Sequence, residues 1–459
     1  MRAPLPRRAL LLPLLAAACL AAQAQQRCLD ESAETLPGAN GQAEPVPAPD
    51  QPNPRATLQT LVRDAIERSH QVGAQRLLAE AAADDVEETR AGRRIVASAG
   101  AGLASDASKN HVNGFVNNDQ QALQLRATLT ASQLLYDGGR VDRLTDWRTQ
   151  LAESARQGHL SAQEQIALNT VSLALERHRY RQHVLVYGQY VRKMACLQEA
   201  LETIVRADRG RASELVQARK NLQQAELSLT QAQSQVRQVD TRLRRLVGDG
   251  LPGTAGLGSV LVAVPELDAL VAEVERSADI ASLTAQANAA NQYAKAVAAG
   301  NKPQLSWNVT AGGAAGGGGT RGDTKSANVS LGLQLNIPLL SPGVGSASDA
   351  ARKRARAAEL QREEALQARR YRVAEVHEQT LASFDRARRV AGVLRDSEQV
   401  RNFTLQQWQQ LGRRSLFDVM GAEGDHYNLR ISYVNALIDG QQLNANLLSL
   451  GRGVTEWLK

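Results

Sequence analysis

An apolar seam that never breaks between Leu215 and Leu246 limits what the surrounding chain can fold into. Leu215, Ala218, Leu222, Ala225, Leu229, Ala232, Val236, Val239, Leu243 and Leu246 follow one another at alternating steps of three and four. That spacing predicts a helix packed lengthwise against other helices. At a constant offset of 202 the same positions recur as Phe417, Met420, Gly424, Tyr427, Ile431, Val434, Ile438, Gln441, Ala445 and Leu448. Each run follows a similar turn, Gly210-Arg211-Ala212-Ser213 in the first and Gly412-Arg413-Arg414-Ser415 in the second. The chain reads as a duplication organised around two returning helices, Ser213 to Val247 and Ser415 to Leu450.

The opening of each copy supports this. Asn53 as a cap and Pro54 at the first helical position predict a helix running to about Ala91 and stopping at Gly92. Its counterpart starts at Pro265 and stops at Gly300, with Glu67-Arg68-Ser69 matching Glu275-Arg276-Ser277 at an offset of 208. After each of these helices the apolar period falls to two. Leu305, Trp307, Val309 and Ala311 alternate with polar residues, as do Val329, Leu331, Leu333, Leu335, Ile337 and Leu339 beyond a glycine-rich loop. The first copy has a weaker strand near Ile95 to Leu103 and a clear one carrying Leu123, Leu125, Ala127, Leu129 and Ala131. These are antiparallel strands of about ten residues, apolar on one face and polar on the other, the length a tilted membrane-spanning barrel requires. A soluble two-faced sheet satisfies the same alternation. The stretches Ser105 to Asp119 and Gly312 to Lys325 read as polar surface loops.

The second strand of each pair leads into a long helix. One runs from about Arg140 to Arg209, after Tyr136-Asp137-Gly138-Gly139. The other runs from Ser346 to Leu411, where Ser346 and Asp349 have capping-box spacing. At ~1.5 Å per residue the first is ~105 Å long, about twice its return helix. An opening and a return helix placed end to end therefore match one long helix, with residues 249–264 as the non-helical connection where they meet. Residues 54–248 and 265–459 are the two structural repeats.

An aromatic content of 3% argues against a large compact core and for thin seams between helices. Ahead of the first repeat, Arg7-Arg8, an apolar run and Ala22-Gln23-Ala24 make residues 1–24 a secretory signal. The alternative is a lipidated Cys19. Residues 25–53 are an extended tail rich in Pro, Gln and Ala. The formal charge of +7 falls to +4 without Arg2, Arg7 and Arg8, which gives no case for nucleic acid. Cys28 and Cys196 either pair in an oxidising compartment or remain unpaired thiols, the plainer reading.

No segment offers a transmembrane helix, and nothing in the chain reads as chemical. His178 and His183 have basic neighbours and no metal-ligand spacing, so they are expected to be solvated. Gly316-Gly317-Gly318-Gly319 lacks the lysine and helix of a phosphate-binding loop. No catalytic residue, cofactor site or metal site is assigned.

Leu134-Leu135-Tyr136-Asp137-Gly138-Gly139-Arg140, the Gly-x-x-Ser turns with their heptads, and Leu243-Arg244-Arg245-Leu246-Val247-Gly248 together resemble the TolC family of outer-membrane channel-tunnels. The resemblance covers Pro54 to the end of the chain. It implies a mainly α protein with a small β part: a homotrimer whose long antiparallel coiled-coil helices form an α-barrel in the periplasm. Four strands per protomer supply a 12-stranded β-barrel in outer-membrane lipid. It also implies an inner-membrane transporter, ABC or proton-driven, and a periplasmic adaptor as partners. The function expected is passive export, as type I protein secretion or, alternatively, small-molecule efflux. A periplasmic coiled-coil scaffold is the reading outside the family. The resemblance further marks the turns at Gly210, Ser213, Gly412 and Ser415 as the far end of the tunnel, and Asp418 as a candidate gate lining with Arg414 as a tie. By its position after Phe417, Asp418 equally suits a helix cap or a pairing with Arg413 or Arg414. Gly421, where some members carry a second acidic residue, departs from the family pattern.

Overall fold

A computed structural model of the chain describes residues 53–459 apart from 113–114, 318–323, 340–341 and 409–413, and leaves the side chains of 106–122, 317 and 324 undescribed as well. The signal, the tail and Gly412 lie outside the described residues. The elements run α1 (Pro54–Arg68), α2 (His70–Ala91), β1 (Val96–Val112), β2 (Phe115–Tyr136), α3 (Arg140–Ala207) and α4 (Ala212–Val247). Then come α5 (Leu267–Glu273), α6 (Ala278–Ala299), β3 (Gln304–Gly317), β4 (Thr324–Asn336), α7 (Pro342–Gln406), α8 (Leu416–Leu450) and a short α9 (Val454–Leu458). The order of helices, strand pair, long helix and return helix occurs twice. Among the described residues, no helix is long and apolar enough to cross a membrane.

The chain forms two compact units. The first comprises described residues up to Val72 with Ala162–Ser277 and Ala368–Lys459. Its core joins Leu58, Leu61 and Ala65 of α1, Val171 and Leu175 of α3, Val239 and Leu243 of α4, and Ile438 and Leu448 of α8. The connection between the repeats is tied down by side chains of α8. Gln441 Nε2 donates to the Gly258 carbonyl at 2.6 Å, and Asn444 Nδ2 donates to those of Leu261 and Ala263 at 2.8 and 2.9 Å. From α3, Arg177 donates to Asp240 at 2.6 Å and to the Pro252 carbonyl at 2.5 Å. Burial holds this guanidinium below its ordinary pKa against the pull of Asp240. Glu164 fixes α9 by accepting from the backbone N–H groups of Val454 and Thr455 at 2.5 and 3.2 Å.

The second unit holds Gly73–Ser161 and Ala278–Gln367. Its four strands form one antiparallel sheet in the order β1-β2-β3-β4. At the junction of β2 with α3, the buried Asp137 caps the helix, accepting from the N–H groups of Gly139 and Val141 at 3.0 and 2.6 Å. Gly138 turns the chain with φ of 69°, and Lys302 donates to its carbonyl at 3.2 Å. The Asp-Gly-Gly sequence is thus a cap followed by a turn that a side chain would obstruct.

Several expectations are corrected. The opening helices are not continuous. Each breaks at a serine in extended conformation, Ser69 (ψ 111°) and Ser277 (ψ 142°), positions that match at the 208 offset. At the first break Ser69 Oγ accepts from Val72 N, starting the next helix. The second long helix begins at Pro342, not Ser346, because proline suits the first helical position. Asp349 then lies inside the helix and pairs with Arg352. The strands have 17, 22, 14 and 13 residues, so the supposed loops from Ser105 and Gly312 begin as strand. Backbone pairing carries the ladder past the end of the apolar alternation. Cys196 is disulfide-bonded, with its partner outside the described residues, so it is no free thiol.

Candidate functional site

The sheet register sorts its side chains into two faces. Leu103, Leu125 and Ala315 share a row with Lys325, and Ala99, Leu129, Ala311 and Val329 share another. Further along, Ala131, Val309 and Leu331 align, as do Trp307 and Leu333. In the single chain this face is open, with Val329, Leu331 and Leu333 exposed by 79%, 77% and 74%. Exposed apolar surface of this extent marks contact with lipid or with another chain. The rows between them hold Ser98, Thr130, Thr310 and Ser330, or Gly100, Thr128, Gly312 and Asn328. Ser98 and Thr130 share a hydroxyl hydrogen bond of 2.6 Å. Glycine here makes room for amides: a Cβ on Gly312 or Gly332 would stand 3.0 Å from the Asn328 or Asn308 oxygen.

In the first unit, the turns prepare the return helices differently. Ser415 caps α8 in a reciprocal box. Asp418 N donates to Ser415 Oγ at 3.3 Å, and Asp418 Oδ2 accepts from Ser415 N and Oγ, both at 3.1 Å. The carboxylate remains exposed, and Arg414 donates to Gln407 Oε1 at 3.2 Å. The cap anticipated as one role of Asp418 is therefore formed, while both side chains stay at the protein surface. In the other turn Gly210 N donates to Asp208 Oδ1 at 3.0 Å, a short 3-10 turn spans Arg209–Arg211, and Ser213 falls in the first turn of α4. Beneath both turns Met194, Leu197, Leu201, Ala218, Leu405, Trp408, Leu416, Val419 and Met420 pack together.

Next to this cluster lies a polar layer that sequence reading missed. From α8 come Glu423, His426 and Arg430, from α3 Lys193 and from α7 Arg401, all less than a tenth exposed. Lys193 Nζ stands 3.5 Å from Glu423 Oε1, an ion pair at the limit of hydrogen-bonding range. Burial raises the Glu423 pKa, with Lys193 and Arg401 opposing it. His426 is lowered to about 3 by burial, then by Arg401 and Arg430. Tyr190 and Tyr427 pack beside it with ring centroids 4.9 Å apart. The available signal was the i, i+3, i+7 spacing of Glu423, His426 and Arg430, which puts the three on one side of the helix. The expectation of solvated histidines is overturned likewise. His178 is buried, and His183, hydrogen-bonded to Asn435 at 2.9 Å, has its pKa lowered by burial to about 4. Both lie on the part of α3 that packs in the core. Among the described residues no acidic, histidine or cysteine cluster is arranged to hold a metal.

No family model matches the chain, and no curated protein matches it at a significant level. Solved structures do. The chain is similar to CusC, solved in work on folding and transmembrane channel formation, with a TM-score of 0.75 at 16% identity over 86% of this chain and 92% of that one. A membrane protein from Pseudomonas aeruginosa gives 0.75 at 18% identity over 87% and 91%. The outer membrane protein VceC from Vibrio cholerae gives 0.71 at 18% identity over 87% and 99%. The chain has the fold of the outer-membrane channel-tunnels. That is the TolC-type fold which its own motifs resemble, with long helices and a four-stranded sheet in one chain.

Proposed function

We propose that the protein is the outer-membrane duct of an export system, a homotrimer that conducts cargo passively from the periplasm to the exterior. The observation that carries this reading is the sheet, with one exposed apolar face, one polar face, and edges at β1 and β4. In lipid, unpaired edge groups cost several kcal/mol each, so such a sheet must close with strands from other copies. Three protomers give twelve strands under closed symmetry, with the apolar face to lipid and the polar face to water. An inner-membrane transporter and an adaptor then supply energy and cargo from below. On the reading that residues 1–24 are removed with Cys19, we assign the duct to type I protein secretion. Small-molecule efflux by the same fold is the alternative. Asp418 would line the periplasmic opening while capping α8, with Arg414 beside it as a tie.

The test is fractionation, followed by sedimentation of detergent-extracted protein and bilayer recording. Recovery in the outer membrane as a trimer that conducts ions supports the duct. A monomer in the soluble periplasm would sink it and restore the coiled-coil scaffold.

A further inference from the structure

The chain has three cysteines, Cys19, Cys28 and Cys196, and Cys196 on α3 is disulfide-bonded. Within one chain its partner is one of the other two, both of which lie outside the described residues. Removal of residues 1–24 takes Cys19 away, and a lipidated Cys19 has its sulfur committed to a thioether. On either reading of the leader, Cys28 is the cysteine left to pair.

The geometry of the first unit admits that bond. Pro54, the first residue of α1, lies against Gly256, and Arg177 of α3 donates to the Pro252 carbonyl in the same connection. From Arg177 to Cys196, α3 advances ~28 Å to the level of Met194 and Leu197, the cluster beneath the turns. Residues 28–53, fully extended, reach ~80 Å, so the tail covers that distance with slack. Arg181, Leu185, Arg192 and Cys196 follow one another at steps of four, seven and four, so they line one side of α3. Leu185 is exposed by 59% in the single chain, and Arg192 is exposed as well. After Cys28 the tail carries Asp30, Glu31, Glu34, Glu44 and Asp50 and no cation before Asn53, a complement to that basic and partly apolar side.

We infer that Cys28 is the partner of Cys196, and that residues 25–53 run along this side of α3 as a strap fastened close to the turns. Forming the bond takes one hydrogen from each thiol. The two electrons pass by exchange to the disulfide of a thiol-oxidising protein, which leaves as a dithiol. Such oxidation belongs to a compartment outside the cytoplasm, in agreement with the export of the chain. The closed loop takes in α1, α2, both strands of the first repeat and most of α3, so the bond restricts the unfolded chain over a long span. The strap does not depend on the duct reading.

The experiment is peptide mapping of the purified full-length protein, alkylated and digested with trypsin without reduction. One cross-linked species should join residues 28–55, with Cys28, to residues 194–206, with Cys196, and no alkylated cysteine should appear. Cys28→Ser and Cys196→Ser should behave alike: each loses residues 25–53 to proteinase K about tenfold faster than the parent and melts about 5 °C lower. Both should still assemble and conduct as the parent does. Alkylated Cys28 and Cys196 in the parent, a Cys19 to Cys196 peptide, or a covalent dimer on a non-reducing gel would each overturn the assignment. Parent-like cleavage and melting in both variants would overturn the strap. A parent protein that yields the Cys28 to Cys196 peptide but never conducts would overturn the duct and support the strap.

Discussion

The two return helices, α4 and α8, carry the same seam over nearly the same length, yet α4 buries six residues and α8 seventeen. At matching positions α4 has Ala218, Ala225 and Ala232 where α8 has Met420, Tyr427 and Val434. The alanines let α4 lie close along one face, while Val216 and Leu227 on its other side are exposed by 66% and 68%. Around α8 the packing closes on several sides and takes in Glu423, His426, Arg430, Gln441 and Asn444. One inherited seam has thus become a one-sided contact in the first repeat and an enclosed element in the second. Seam spacing sets the direction of packing, and the residues off the seam decide how many neighbours a helix has.

Matched substitutions would break this comparison most sharply. Ile438 and Val236 occupy the same seam position, but Ile438 is 1% exposed and Val236 is half-buried. Ile438→Asp places an unpaired charge in the core and should remove several kcal/mol, a large part of the ~5–15 kcal/mol that holds a typical protein together. Val236→Asp, able to reach water, should cost about 1 kcal/mol. Yield of folded protein and denaturant midpoints would show it. Equal losses would mean that α4 is as enclosed as α8.

Next in size is the polar tie at the connection. Gln441 stands where α4 has Val239, so Gln441→Val copies the first repeat into the second. It strands the Gly258 carbonyl, and Asn444→Leu strands those of Leu261 and Ala263, at about 1–3 kcal/mol for each buried group left unpaired. Both variants should become sensitive to proteolysis within residues 249–264. Unaltered cleavage and an unaltered melting temperature would show that the connection is held by apolar packing of Leu257 and Leu261 alone.

These ties also show what was legible in the sequence. Seam, duplication, strand alternation and the ends at Gly92, Val247 and Leu450 follow from local periodicity and capping, and the structure has them. Gln441 reads as an interruption of the seam until the carbonyls of a loop some 180 residues earlier are brought beside it. Glu423 looks like an ordinary surface charge, since its burial depends on Lys193 from one distant helix and Arg401 from another. The breaks at Ser69 and Ser277 escaped because the apolar pattern continues through them. For the turn, spacing showed that Asp418 suited a cap, while the proposed lining of an opening depends on the assembly and has no signature in the spacing.

Acid should act unequally on the two helices. His426 and His183 have folded pKa values of about 3 and about 4, against 6.5 for the unperturbed group. From about 6.5 downward the unfolded chain takes up protons that the folded chain refuses, so stability falls with pH through that window. Glu423 opposes this: its raised pKa lets the folded state hold a proton above the ordinary 4.5, a contribution lost as pH rises through its folded value. His426→Gln installs the residue that α4 has at Gln224, which is exposed. Lowering the pH from 7 to 5 should reduce the melting temperature of the parent by about 2–5 °C more than that of His426→Gln. The same drop in both would remove His426 from the acid response.

The smallest stability effect, and the most informative for function, is expected at Asp418. Its counterpart in α4 is the exposed Val216, and that helix starts with no side-chain cap of its own. Asp418→Val therefore brings the start of α8 closer to that of α4, losing the bonds the carboxylate accepts from Ser415 N and Oγ and a negative charge near a helix N-terminus, about 1 kcal/mol in all, while the backbone N–H of residue 418 still donates to Ser415 Oγ. Asp418→Asn keeps an acceptor for Ser415 N and removes only the charge, so its stability should fall by half of that or less. If three Asp418 carboxylates surround the periplasmic opening, both variants should lose cation selectivity and bind a trivalent cation more weakly from the periplasmic side. The valine would add a loss of stability that the asparagine largely lacks. Channels of Asp418→Asn with selectivity and trivalent block equal to the parent would leave Asp418 as a cap alone, and Arg414 as a surface partner of Gln407.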